Sequence, residues 1–210
     1  MITIIDYGAG NIRSIANSVA ALGYQAKVTS SPDDVAAADV LILPGVGAAA
    51  DTMKSLKNLG ITDALTDYIA GDRPFLGICI GLQVLFDRTE ENGGNDCLGI
   101  VHGEVRRLRA VNKIPHMGWN QVRQCSNHPV FQGIPDSSYF YFVHSYYPVP
   151  EDKSIIAGET DYGVSFCSVI ARGGLVATQF HPEKSGDAGL RFLGNFVEFG
   201  TEKAKSASVR

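Results

Sequence analysis

Three short apolar runs, at residues 2–5, 40–43 and 74–78, each lead within a few residues into a helical pattern, at 11–22, 48–56 and 80–86. A run such as Val40-Leu41-Ile42-Leu43 has no polar face to turn to solvent, so a strand made of it must be covered on both sides. Repeating that strand-then-helix pattern builds a parallel sheet with helices on its two faces. After Gly99 the texture changes to strand-rich segments at 139–143, 164–170 and 175–180, followed by a closing amphipathic helix at about 189–199. The expected fold class is therefore α/β: a central, mostly parallel sheet flanked by helices, with an antiparallel C-terminal extension.

With 210 residues, 45% of them hydrophobic, the chain can bury one substantial core, and no shift in composition marks a second. A single domain over residues 1–200 is expected, with the small and polar residues 201–210 fraying as a tail. A net charge of −4 and a longest basic cluster of only Arg106-Arg107-Leu108-Arg109 argue against a nucleic-acid partner. The N-terminus lacks a secretory pattern and no apolar run reaches membrane-spanning length, so a soluble, cytoplasmic protein is expected. The four cysteines form neither a C-x-x-C pair nor a Cys/His ligand pattern, which argues against a disulfide framework and a zinc site. No metal or cofactor is expected, and Cys97, Cys125 and Cys167 read as small half-buried hydrophobes.

Ligands of open α/β sheets bind at the carboxyl ends of the strands, so the residues just after each run are the ones placed to meet a substrate. The segment Gly77-Ile78-Cys79-Ile80-Gly81 has the form glycine, any residue, nucleophile, any residue, glycine, with a cysteine where hydrolases place serine. Side chains at Gly77 and Gly81 would collide with the neighbouring strand and helix, and the sharp turn pushes Cys79 outward. An inert cysteine at an ordinary strand-to-helix turn fits the same pentapeptide until a base is found for it. The segment Gln179-Phe180-His181-Pro182-Glu183 supplies one: if the strand stays extended, alternation puts His181 and Glu183 on one face, a base with a carboxylate to orient it. Pro44-Gly45-Val46-Gly47 opens another helix at the same end of the sheet. Its glycines allow backbone N–H groups to converge on an oxyanion, with the amide of Ile80 as a second donor. Gln83 lies one helical turn after Cys79 on the same face. The first loop, Gly8-Ala9-Gly10-Asn11-Ile12-Arg13, has the start of a dinucleotide fingerprint but Arg13 in place of its third glycine, which argues against nucleotide binding.

Taken together, Gly77-Ile78-Cys79-Ile80-Gly81-Leu82-Gln83, Pro44-Gly45-Val46-Gly47 and Phe180-His181-Pro182-Glu183 resemble the class I (triad) glutamine amidotransferases, nearly end to end. Ile5-Asp6-Tyr7-Gly8-Ala9-Gly10-Asn11, Lys113-Ile114-Pro115-His116-Met117-Gly118-Trp119-Asn120 and Tyr141-Phe142-Val143-His144-Ser145-Tyr146 resemble one branch of that family, the glutaminase subunits of histidine biosynthesis. Ala50, where that branch commonly has an aromatic, and Ile80, where leucine is more usual, depart from the pattern without touching the triad. The resemblance implies hydrolysis of glutamine to glutamate and ammonia, with Cys79 as nucleophile, His181 as base and Glu183 orienting it. It further implies an oxyanion site from Gly45, Val46, Gly47 and Ile80, with Gln83 on bound glutamine. The implied partner is a (β/α)8-barrel cyclase subunit, paired as a heterodimer, which uses the ammonia to make imidazole glycerol phosphate and an aminoimidazole carboxamide ribonucleotide. Asn11, Trp119 and Lys184 would face that partner, although Trp119 alone also fits a core tryptophan. The competing expectations are a glutaminase serving an anthranilate, GMP or carbamoyl phosphate type of synthase, a non-catalytic regulatory subunit on the same fold, and a cysteine peptidase of similar form.

Overall fold

The computed structural model describes residues 1–109 and 113–207. Its first part runs β1 (Ile2–Ile5), α1 (Ile12–Ala21), β2 (Ala26–Thr29), α2 (Pro32–Ala37), β3 (Val40–Leu43), α3 (Ala49–Asn58), α4 (Ile61–Ala70), β4 (Phe75–Ile78) and α5 (Ile80–Gln83). Strands then dominate: β5 (Phe86–Thr89), β6 (Asn95–Asp96), β7 (Val101–Arg107), β8 (His116–Gln124), β9 (Ser138–His144) and β10 (Tyr146–Pro150). The chain closes with β11 (Ile156–Asp161), β12 (Ser165–Arg172), β13 (Leu175–Thr178) and α6 (Gly186–Ala207).

Nine strands form the central sheet in the order β2-β1-β3-β4-β13-β12-β11-β8-β9. Pairing is parallel from β2 through β13 and antiparallel from β13 to β9. The apolar runs of β1, β3 and β4 lie in the parallel half, where both faces are covered. Val40, Ile42, Leu76 and Ile78 pack with Ile15 and Val19 of α1 and Phe192, Phe196 and Val197 of α6. Leu41, Leu43 and Phe75 pack on the other side with Leu56 of α3 and Leu65, Tyr68 and Ile69 of α4. Burying a Leu or Phe side chain stabilises by about 1.5–3 kcal/mol, so the sheet is held from both layers. Among the described residues, no helix is long and apolar enough to cross a membrane.

Three local expectations need correction. The helix expected over 80–86 is a single turn, because Phe86 leaves it to begin β5 in a second, four-stranded sheet of order β10-β7-β5-β6. The closing helix does not stop near 199: residues 201–207 continue α6, with Gly200 buried and fitted against Pro74 and Val40, while 208–210 lie outside the described residues. Apolar patterning ends before the hydrogen-bonded helix does, so patterning alone predicts a tail where the helix continues. Cys125, read as half-buried, is exposed; Cys97 is half-buried and Cys167 buried.

Candidate active site

Strand β4 ends at Ile78 and α5 begins at Ile80, so Cys79 makes the whole reversal. Its backbone takes φ 55° and ψ −102°, a region that costs a non-glycine residue on the order of 1–3 kcal/mol. The turn is held by its neighbours. Cys79 N–H donates to the Thr178 carbonyl at 2.7 Å, and its own carbonyl accepts from Leu82 N–H at 3.0 Å and Gln83 N–H at 3.1 Å. A Cβ on Gly77 would sit 2.5 Å from the Gly81 carbonyl oxygen, and one on Gly81 would run into the Leu43 carbonyl at the end of β3. Both glycines are thus required by close backbone approach, as the motif predicts.

His181 comes from the segment after β13 and reaches this turn. Strand β13 stops at Thr178, and residues 182–184 form a 3-10 turn rather than the extended strand that alternation assumed. Pro182 at the first position favours that turn, since its fixed φ is suited to a helical start. The tight turn still closes the pair: His181 Nδ1 lies 2.9 Å from Glu183 Oε1, with the two side chains 1% and 0% exposed. The same Glu183 oxygen accepts from Asn11 Nδ2 at 3.3 Å, so the first loop also serves this site. His181 Nε2 is buried without a hydrogen-bond partner and is left free for the sulfur side of the cavity. Burial works against the imidazolium, but Cys79 and Glu183 outweigh it and hold the His181 pKa up at about 10. The arrangement can take a proton from a thiol at Nε2 while a carboxylate balances the charge at Nδ1.

A cavity of about 420 Å³ opens over Cys79, with Val46, Gly47, Ile80, Gln83 and His181 among its walls. Larger clefts exist elsewhere, such as one of about 610 Å³ beside Asp187 and Arg191, but it contains no nucleophile next to a base. The Pro44–Gly47 turn packs directly on the Cys79 turn: a Cβ on Gly45 would fall 2.8 Å from Ile80 Cβ. Gly47 has φ +100°, open only to glycine at low cost, and Val46 is exposed. Ile80 is the first residue of α5, so its N–H lacks an intrahelical acceptor. Gln83 is 2% exposed and points inward rather than to solvent.

Two of the partner-facing candidates, Trp119 and Lys184, share one surface beside the cavity, whereas Asn11 reaches Glu183. Residues 116–120 of the 113–120 string begin β8, with His116, Gly118 and Asn120 turned inward and Met117 and Trp119 outward. Trp119 is 56% exposed and so is not a core tryptophan. It meets Tyr141 of β9 edge-on at 6.1 Å between ring centroids, and Lys184 Nζ lies 5.9 Å over that same Tyr141 ring. Lys184 also lines the cavity, which joins this surface to the site.

Sequence reasoning overlooked Gln179, His116 and His144. Gln179 Nε2 donates toward Cys79 Sγ at 3.6 Å, and its Oε1 accepts from Gln83 Nε2 at 3.1 Å. The sequence carries a signal for Gln179: it stands two residues before His181, the spacing that puts two side chains on one face while the backbone stays extended. None existed for the histidine pair, which meets only through the β8–β9 register that aligns His116 with His144.

The family model described as "Glutamine amidotransferase class-I" matches residues 3–198. Similar curated proteins include the imidazole glycerol phosphate synthase subunit HisH of Dehalococcoides mccartyi (strain 195), 55% identical over 198 residues, 94% of this chain and 97% of that protein. The protein of the same name from Chloroflexus aurantiacus is 51% identical over 203 residues, 95% of this chain and 96% of its own. Among solved structures, one described as a glutamine amidotransferase has a TM-score of 0.73 at 19% identity, covering 94% of this chain and 100% of that one. A putative GMP synthase component from Thermoplasma acidophilum has a TM-score of 0.72 at 18% identity, covering 99% and 96%. At those identities the structures speak to the fold alone.

Proposed function

The chain belongs to the class-I glutamine amidotransferases, and from that premise we propose that it hydrolyses glutamine for an imidazole glycerol phosphate synthase, passing the ammonia to a (β/α)8-barrel cyclase subunit. The observation that carries the chemistry is the buried imidazole whose Nδ1 is tied to Glu183 while its Nε2 stays unpartnered beside the strained Cys79 turn. The branch within the family is supported by the HisH relatives and by the 113–120 string on β8.

In this reading the Cys79 proton has already passed to His181 Nε2, leaving a thiolate beside an imidazolium, and the sulfur attacks the side-chain amide carbon of glutamine. The tetrahedral oxyanion receives N–H donors from Ile80 and from the Gly45-Val46-Gly47 turn, each contributing on the order of 3 kcal/mol. His181 returns the proton to the departing nitrogen, releasing ammonia and leaving a γ-glutamyl thioester. It then takes a proton from water, which hydrolyses the thioester to glutamate and restores the thiolate. Glu183 holds the imidazole throughout, and Gln83 contacts the bound glutamine. The reaction needs no cofactor, and it fits a cytoplasmic enzyme of one domain.

Asn11, Trp119 and Lys184 form the side that meets the cyclase in a heterodimer. An exposed Trp beside Tyr141 and Lys184 has the composition of an interface anchor. The exposed, glycine-flanked Val46 allows partner docking to adjust the oxyanion turn. The test is glutamate release from glutamine by the chain alone, then with the cyclase and its nucleotide ligand. Stimulation by that pair, lost in Cys79→Ser, is expected. Strong basal hydrolysis indifferent to the cyclase would instead assign the ammonia to another synthase.

A further inference from the structure

On the glutaminase reading, one set of buried polar groups beside Cys79 is left without a role. We propose that Gln179 is a further catalytic residue, its side-chain N–H donated to the Cys79 sulfur, and that His144 and His116 are positioning residues that fix its orientation through the Tyr146 carbonyl and Gln83.

The imidazole tautomers are set in order from Asn120, and the Tyr146 carbonyl, which His144 holds in place, then orients Gln83 and through it Gln179. Asn120 Oδ1 accepts from the Gln121 N–H at 2.8 Å and its Nδ2 donates to the Asp161 carbonyl at 2.8 Å, so the amide cannot be reversed. That Nδ2 also lies 3.2 Å from His116 Nε2, which must then be the acceptor nitrogen. A neutral His116 carries its proton on Nδ1, 2.9 Å from His144 Nε2, so His144 in turn carries its proton on Nδ1. His144 Nδ1 donates to the Tyr146 carbonyl at 2.8 Å, and Gln83 Nε2 donates to the same oxygen at 3.0 Å. The second Gln83 N–H goes to Gln179 Oε1, which leaves the Gln179 amide only one way round, nitrogen toward Cys79 Sγ.

The imidazoles are built in as neutral groups. His116 is 2% exposed and stacked between Phe142, at 4.8 Å, and Tyr162, at 3.9 Å. Burial lowers its pKa to about 4 and that of His144 to about 3. A protonated ring at either place would turn an acceptor nitrogen into a donor facing a donor. The groups form a continuous run of hydrogen bonds from the inner face of β8, whose outer face carries Met117 and Trp119, to the nucleophile.

The test is the rate at which iodoacetamide alkylates Cys79 in the intact chain at pH 7.5, followed by peptide mass spectrometry with exposed Cys125 as internal reference. Gln179→Leu removes the donor and should slow Cys79 about tenfold, the effect of one hydrogen bond to a charged group, while Cys125 is unchanged. Gln179→Glu keeps the shape but sets an acceptor against the sulfur, and should slow it at least as much. For the relay, His144→Asn keeps an N–H where Nδ1 was and should stay within about twofold of the wild type, whereas His144→Gln lacks it there and should slow Cys79 by about threefold or more. The kcat for glutamate release should fall in the same order. If Gln179→Leu unfolds the chain, seen as labelling of buried Cys167, the Gln179→Glu rate decides. A Cys79 rate within about twofold of wild type in a folded Gln179 variant overturns its role, and equal rates for the two His144 variants overturn the relay. Wild-type chain that keeps this labelling pattern but releases no glutamate, even with the cyclase, overturns the glutaminase reading while the grip of Gln179 on the sulfur stands.

Discussion

Replacing Glu183 by Gln changes one atom in a site with no slack. The carboxylate side chain is fully buried, with Oε1 accepting from His181 Nδ1 at 2.9 Å and Asn11 Nδ2 at 3.3 Å, and Oε2 bonded to nothing. If the new carboxamide keeps its oxygen at Oε1, its NH2 is buried at Oε2 without an acceptor, which costs about 1–3 kcal/mol. If it flips, the NH2 faces the Asn11 donor and forces the His181 proton onto Nε2, the nitrogen that must accept one. Either way the charge-assisted bond is lost, worth about 1.5–3 kcal/mol. The two losses together project to a kcat lower by about 10² to 10⁴-fold, with a smaller change in KM. The pH dependence has a definite sign. Because the folded pKa of His181 is raised to about 10, its contribution to stability is full below the unfolded value of about 6.5 and disappears as pH rises through about 10. Urea denaturation should therefore show the gap between wild type and Glu183→Gln largest near pH 6 and closing toward pH 10. A variant with kcat within about threefold of wild type, or a gap that widens with pH, would refute this account of the pair.

Gly81→Ala should lower stability by about 1–3 kcal/mol or more, because its Cβ meets the Leu43 carbonyl at the heart of the sheet; a urea midpoint equal to wild type would contradict that. Trp119→Ala, at a side chain more than half exposed, should shift folding stability by no more than about 0.5 kcal/mol. The same change should weaken cyclase binding by about 2 kcal/mol or more by calorimetry. Folded His116 resists the proton that the unfolded chain accepts, so wild-type stability should fall as pH drops from about 6.5 toward 4. In His116→Phe that slope should be shallower, and an unchanged slope would show that His116 is not the group responsible.

The parts of the site legible in the sequence were those whose physics is local. Gly77 and Gly81 announce a turn too tight for side chains, and strands with no polar residues announce a sheet covered on both faces. Spacing two apart predicts that His181 meets Glu183 along a strand, whereas Pro182 starts a 3-10 turn that brings them together by another route. Contacts set by long-range register were not legible. Nothing local tells His116 that it will face His144, or Asn11 that it will reach Glu183 across 172 positions. The second sheet is hidden for the same reason, since Phe86–Thr89 comes after a helical turn without a break and becomes a strand only by pairing with β7 on one side and β6 on the other.

The central claim is that Cys79 forms a covalent bond with the substrate. It is tested most directly by acid-quenching the chain with its cyclase during turnover of isotopically labelled glutamine and mapping the label by peptide mass spectrometry. The account predicts a γ-glutamyl group on the peptide carrying Cys79, absent from Cys79→Ser and lost to hydroxylamine. Turnover with no label on that peptide, or with label on Cys97, Cys125 or Cys167 instead, would contradict it.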